Sequence, residues 1–281
     1  MRAACEAGTT RARRDALAVY LSDHVLDGQH FLCSHKKECE ASQAGVFYEG
    51  QLHHLGRHYD LTYDGIPHRV VVVGQEFGHP PPRVSLEERY AMLMESALTC
   101  RFFAEPDRPP RNPHMRGTTS ALRLLHGRQP GHLHDDEFLR IEDIGRVHLF
   151  DTFALVNFLL CSAVKPESRT GISTATMKAN CAEHFREALM ILAPTVLVVQ
   201  GIGFWPLVRA TLDCVRQITP THFEASLSGS AITIAAFSHP SAAFPKNWGA
   251  NDKTPYLRQV VQPTLDAIWH DAFAGRRTGR R

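Results

Sequence analysis

The chain has 281 residues, 43% of them hydrophobic, with a formal net charge of +2. That length buries a core without staples, and the near-neutral balance speaks against a strong nonspecific nucleic-acid binder. No stretch approaches the roughly 18 apolar residues of a membrane span. Seven cysteines, an odd number, argue against a secreted disulfide framework and leave metal or cluster ligation open. The basic N-terminus has no apolar h-region, so a soluble, cytoplasmic, monomeric protein is expected. Arginines cluster at residues 11–14, 108–116 and 276–281 and read as solvated surface runs.

In chain order, apolar positions at Leu17, Tyr20, Leu21 and Val25 have helical spacing, with a stop at Asp27-Gly28. A polar loop with Cys33 and Cys39 follows. Residues 46–63 are rich in Gly, His and Tyr and give no clear period. The valines Val70 to Val73 end at Gly74 and run directly into Gln75, Glu76, Phe77, Gly78 and His79. Such a run reads as a buried parallel strand whose glycine lets the backbone approach a ligand. Pro80 to Pro82 require a loop. Ser85 and Glu88 have the spacing of a capping box for a helix reaching about Phe103. Residues 105–113 form a second proline-rich loop, and Thr118 to Leu125 a further helix.

Residues 137–145 are ambiguous. The apolar segment 150–160 carries one misfit, Asn157, near the carboxyl end of a short strand. A helix over 174–192 ends at Ala193-Pro194, a strand over 195–200 ends at Gly201, and a helix is expected over 204–217. A last strand over 231–237 delivers Ser238, His239, Pro240 and Ser241 into a loop, before a C-terminal helix over 254–273. The alternation predicts one α/β domain over 1–281. Its centre is a mostly parallel four-stranded sheet flanked by helices on both faces, with 1–30 an N-terminal helical extension and 275–281 a basic tail. Neither GxGxxG after the first strand nor GxxxxGK[ST] occurs, so no nucleotide cofactor is expected.

Three strands thus deliver Gln75 and Glu76, Asn157, and His239 beyond their carboxyl ends, where ligands of open α/β sheets bind. In that order, Gly74-Gln75-Glu76-Phe77-Gly78-His79 resembles motif 1 of the uracil-DNA glycosylase superfamily, and Ser238-His239-Pro240-Ser241 resembles its motif 2. Val156-Asn157 through Cys161, and then Asn180-Cys181 through Gly201, are similar to the iron–sulfur branch. The resemblance spans residues 33–248. It implies a DNA repair enzyme that flips uracil out of DNA and hydrolyses its N-glycosidic bond, leaving an abasic site.

On that resemblance His239 donates to the uracil O2 as negative charge develops, and Glu76 orients the attacking water. Asn157 matches O4 and N3–H, and Gly74, Gln75 and Phe77 line the base pocket. Ser238, Ser241, Phe244, Lys246 and Arg116 become DNA contacts, with Phe244 as a wedge and Lys246 on phosphate. Cys33 and Cys39 (C-x5-C) with Cys161 and Cys181 (C-x19-C) become the ligands of a [4Fe–4S] cluster, with zinc as the chemical alternative. Cys5, Cys100 and Cys214 are left as structural. Motif 1 departs from the family: Gly78 stands where the best-known branch has a thymine-excluding tyrosine, Phe77 where proline is common, and Gln75 where the iron–sulfur branch has an acid. Two other readings stand beside this one: a DNA-binding module with a four-cysteine structural metal and no turnover, and a glycosylase for another deaminated base.

Overall fold

The structure, a computed structural model, describes residues 1–78, 83–102, 107–131, 133–166 and 171–273. His79 with the three following prolines, part of the second proline-rich loop, and the basic tail 275–281 lie outside the described residues.

Four apolar runs that are buried on both faces become the inner strands of a seven-stranded sheet. The strands are β1 (His54–Leu55), β2 (Val70–Gly74), β3 (Phe153–Asn157), β4 (Val196–Gln200), β5 (Cys214–Gln217), β6 (His222–Leu227) and β7 (Ser230–Phe237). Their order is β5-β6-β7-β4-β2-β3-β1. The pairs β7–β4, β4–β2 and β2–β3 are parallel, whereas β1, β5 and β6 join antiparallel.

The expected four-stranded parallel sheet is therefore only the centre of a larger mixed sheet. Two local misreadings hid the rest. The helix predicted over 204–217 stops at Ala210, and residues 214–217 instead turn back on 222–227 as a hairpin. The period-free stretch 46–63 supplies β1 and two further short strands, Val46–Tyr48 and Leu61–Tyr63. Three smaller sheets surround the centre, of five, three and two strands. In the five-stranded one Ala3–Cys5 pairs with both Leu61–Tyr63 and Phe138–Ile141, so the N-terminal segment expected as an extension is woven into the body.

Seven α-helices are described: α1 (Ala7–His24), α2 (Lys36–Ala41), α3 (Leu86–Thr99), α4 (Pro113–Leu125), α5 (Ala175–Leu192), α6 (Trp205–Ala210) and α7 (Gln262–Phe273). Strand alternation divides the core between them. Val71, Val73, Val156 and Val199 face a layer with Leu17, Leu21, Phe185, Leu189 and Val208 from α1, α5 and α6. Val70, Val72, Leu155 and Val198 face Leu93, Leu122 and Leu265 from α3, α4 and α7. Each inner strand is thus covered twice, which is why its sequence shows no polar alternation.

Helix α4 is set by local chemistry and by one buried charge. Asn112 caps it, its side chain accepting the Met115 N–H at 2.9 Å, and Pro113 occupies the first turn, where no donor is needed. Arg111, just before the cap, and Arg123, in the last turn, both reach Glu137, at 2.7 and 3.2 Å. His148 approaches the same carboxylate at 3.2 Å. Burial alone would raise the Glu137 pKa, but the His148 hydrogen bond and the two guanidinium charges pull it down to about 2. Replacing Glu137 by Gln strands two fully buried arginines. We expect a loss of about 3–5 kcal/mol, read as a lower urea midpoint at unchanged m-value.

Candidate functional site

Register places the ends of the four parallel strands in one transverse row. Asn157 pairs with Gly74, Val199 with Val73, and Gln200 with Phe237. Asn157, Gly74 and Gln200 therefore end three neighbouring strands on the face that α4 covers. The middle position has no side chain. A Cβ at Gly74 would meet Asn157 Oδ1 at 3.4 Å and the His114 ring at 3.5 Å, so the glycine keeps a slot open between two amides. From β2 the chain places β3 on one side and β4 on the other, and such a reversal of strand order is where open α/β sheets form their crevice. A cleft of about 1060 Å³ lies there, lined among others by Gly74 to Gly78, Asn157, Gln200, Ser238, His239 and Ser241.

Several polar groups of this cleft are unsatisfied. Asn157 is buried, its backbone N–H donating to His53 Nδ1 at 3.3 Å, yet its Nδ2 has no partner. Gln200 donates through Nε2 to Thr118 Oγ1 at 3.1 Å, while the Thr118 hydroxyl donates to the His114 carbonyl, also at 3.1 Å. Because that hydroxyl proton is committed, Thr118 only accepts from Gln200, and the buried Gln200 Oε1 is left as a free acceptor. Glu76 Oε2 and His114 Nδ1 are likewise buried and unpartnered. Native interiors leave few such atoms; others occur away from the cleft, on Tyr59, His68 and His126 among them, but these four border an open cleft where a ligand or water can complete them.

His239 is held differently. The Ser241 backbone N–H donates to its Nδ1 at 3.2 Å, and the Ser241 hydroxyl lies 2.7 Å from the same nitrogen. A backbone N–H can only donate, so Nδ1 is the acceptor and the ring proton sits on Nε2. Partial burial also lowers the His239 pKa, keeping the ring neutral. His114 stacks nearly parallel to it, centroids 5.9 Å apart, with its own pKa pushed down to about 3 by burial, then by His239 and by Arg89. Glu76 moves the other way: burial raises it from 4.5 to about 7, against smaller opposing effects of Gln75 and Lys178.

Of the remaining expected residues, Gln75 donates to Ser173 Oγ at 3.1 Å, and Phe77 forms a wall with the Arg89 guanidinium 4.2 Å above its ring. Gly78, at φ +79°, donates its N–H to Ser162. Ser238 and Ser241 spend their hydroxyls inside their own loop, Ser238 on the Lys246 carbonyl at 2.8 Å. Phe244 (76% exposed), Lys246 and Arg116 do not line the cleft. Pro240 fits over Gly117 of α4, where a Cβ would come within 2.7 Å of it, so the motif 2 loop is seated directly on that helix.

His114, Arg89 and Gln200 escaped the sequence reading. Gln200 carried the same signal as Asn157, an amide closing an apolar run. Arg89 is a charge on the apolar stripe Leu86, Leu93, Ala97. His114 gave no signal beyond following a capped helix start.

The cysteines expected as ligands gather on the other face of the sheet. Cys39, Cys161 and Cys181 belong to the α1–α5 core layer. Burial first, then the proximity of the other thiols, raises Cys161 well above the usual thiol range and Cys181 to about 12. Cys33 is raised by burial and by Cys39. His184 Nε2 lies 3.8 Å from Cys33 Sγ, and Asn180 donates to Cys39 Sγ at 3.5 Å. The four thiols are neighbours, but among the described residues no three His, Cys, Asp or Glu side chains form a closed metal cage as they stand.

No helix among the described residues is long and apolar enough to cross a membrane. No family model matches the chain, and no curated protein matches it. What fold and site define is an α/β protein with a polar cleft at the carboxyl ends of parallel strands.

The raised Glu76 pKa has a consequence for stability that does not depend on function. The folded state holds this proton between about pH 4.5 and 7 whereas the unfolded chain releases it, so stability falls as pH rises through that window. Glu76→Gln removes the ionisation. Its melting temperature should exceed that of the parent at pH 8 and match it near pH 4.5; a pH-independent difference contradicts the assignment.

Proposed function

We propose that the protein is a monofunctional glycosylase that excises uracil from DNA. The observation that carries this reading is the open slot at Gly74, with the unpaired amide of Asn157 beside it and Glu76 and His239 on the same cleft. A flipped uracil offers Asn157 an O4 acceptor for Nδ2 and an N3–H donor for Oδ1; cytosine reverses both. His239, neutral with its proton on Nε2, is the donor for O2 as the departing base gains negative charge. Glu76 in its ionised form positions the attacking water and faces the positive charge that builds on the sugar. The sequence resemblance to the uracil-DNA glycosylase superfamily points to the same roles.

Cys39, Cys161 and Cys181 are buried and Cys33 half-buried beside them; thiol donors suit a tetrathiolate group, and with the sequence resemblance we propose that these four cysteines hold a [4Fe–4S] cluster. Its role would be to brace the segments around β3. No chemical step passes through it. Anaerobically purified protein should be brown and contain iron and acid-labile sulfide; a colourless protein containing zinc assigns the site to zinc instead.

A second reading concerns the base. The single ring N–H of deoxyuridine is taken by Asn157, which leaves the Gln200 Oε1 acceptor unfilled. A deaminated base with an additional ring N–H, such as xanthine, would fill it. Oligonucleotides bearing one uracil, thymine, xanthine or no lesion separate the cases. Alkali-labile scission at uracil alone supports the first reading, and scission favouring xanthine the second. Binding without scission on any of them leaves a DNA-binding module.

Glu76→Gln and His239→Ala should each lower single-turnover excision by about 100-fold or more with little change in binding. Because the working form of Glu76 is the carboxylate, excision should rise with pH through about 7 and level off above it. A flat profile across neutrality removes Glu76 from that role.

A further inference from the structure

The buried Arg111 and Arg123 share Glu137, and the half-buried Arg13 pairs with Asp60 at 3.0 Å. Arg89, on the cleft wall, is placed differently. It lies on α3, one turn before Met92 and Leu93 and two before Ser96, and all four line the cleft. It is only 8% exposed, its Nε has no hydrogen-bond partner, and no carboxylate pairs with it among the described residues. Its contact among the described residues is the Phe77 ring, whose centroid lies 4.2 Å from Cζ; a cation–π contact consumes no N–H donor, so the guanidinium keeps its donors for an acceptor.

An uncompensated buried charge is among the costlier arrangements a fold can keep. Burial lowers the Arg89 pKa to about 10, so the cation persists at neutral pH. Burial first, with the Arg89 charge as a smaller contribution, lowers His53, His54 and His114 and keeps them neutral, so these histidines add no competing cations. The arrangement is a buried cation on the cleft wall with no carboxylate partner among the described residues.

We propose that Arg89 is the seat of a phosphate oxyanion, bound through the guanidinium fork and supplied by the backbone of the nucleic acid whose base enters the cleft. A fork of parallel N–H donors matches two oxygens of such an anion, and Phe77 fixes its plane. Only the source of the phosphate rests on the glycosylase reading; the anion site itself does not.

The test compares the parent protein with Arg89→Met, which keeps the length and packing of the stem, and Arg89→Lys, which keeps the charge and loses the fork. In phosphate-free buffer Arg89→Met should melt about 3 °C or more above the parent, because a stranded charge is gone. Inorganic phosphate, titrated against chloride at constant ionic strength, should raise the melting temperature of the parent, raise that of Arg89→Lys less, and leave Arg89→Met unmoved. A deoxyuridine oligonucleotide should bind Arg89→Met roughly tenfold more weakly, with a salt slope smaller by about one. An oligonucleotide with neutral methylphosphonate linkages flanking the deoxyuridine should bind both proteins alike.

Equal phosphate stabilisation of parent and Arg89→Met, or an Arg89→Met protein less stable than the parent, overturns the site. If Arg89→Met does not fold, the same phosphate titration on Arg89→Lys decides: a response equal to the parent's overturns the fork. Loss of the phosphate response with unchanged oligonucleotide affinity overturns the nucleic-acid source. All of these readouts stand whether or not any base is excised.

Discussion

The cleft is referred to helix α4, and α4 is tied at both ends by one buried carboxylate. Glu137 takes Arg111 immediately before the Asn112 cap and Arg123 in the last turn, so a single anion sets both the position and the tilt of the helix. Several site features inherit that placement. His114 closes the slot at Gly74, Thr118 orients the Gln200 amide, and Gly117 receives Pro240 and with it the loop that carries His239. A buried ion cluster is weak as a source of stability and effective as a constraint on geometry, and geometry is what a row of strand-end amides requires.

The same kinds of group are treated in different ways within this fold. Arg111 and Arg123 share a carboxylate and Ser238 and Ser241 spend their hydroxyls within their own loop, whereas Arg89 has no carboxylate partner among the described residues and Glu76, Asn157, Gln200 and His114 each keep an unpartnered buried atom at the cleft. Burial then outweighs the opposing effects of Gln75 and Lys178 on Glu76 and acts on the histidines, raising the carboxyl to about 7 and keeping the imidazoles uncharged. Leaving these groups unsatisfied costs stability locally, which the doubly covered strands offset elsewhere. His239 is the instructive intermediate case. Its Nδ1 is satisfied so that its Nε2 proton is fixed, which is what a donor to a developing oxyanion needs.

The thiol corner and the cleft lie on opposite faces of one sheet, joined through β3. Asn157 ends that strand facing α4, and Cys161 follows four residues later in the layer of α1 and α5. Alternation along a strand makes this division unavoidable. It also separates the work: whatever the thiols hold can stiffen the segment after Asn157 without touching a bound base.

From the residues alone one could read the parallel centre, because doubly buried strands must be apolar on both faces, and the polar residues that close them, because Gln75, Glu76, Asn157 and His239 interrupt apolar context abruptly. The capping box at Ser85 and Glu88 was equally legible and is present, since it depends only on local spacing. Short edge strands such as His54–Leu55 and Cys214–Gln217 were not, because two to four residues carry no measurable period and their pairing is decided by what lies alongside. The roles of Arg89, His114 and Gln200 were settled only by tertiary contacts. Whether a charged or amide group is paired or left open depends on residues far away in sequence, Thr118 for Gln200 and, for Arg89, the lack of a carboxylate partner among the described residues. The sequence determined which groups reach the edge of the sheet; the packing of α3 and α4 decided which of them remain free to meet a ligand.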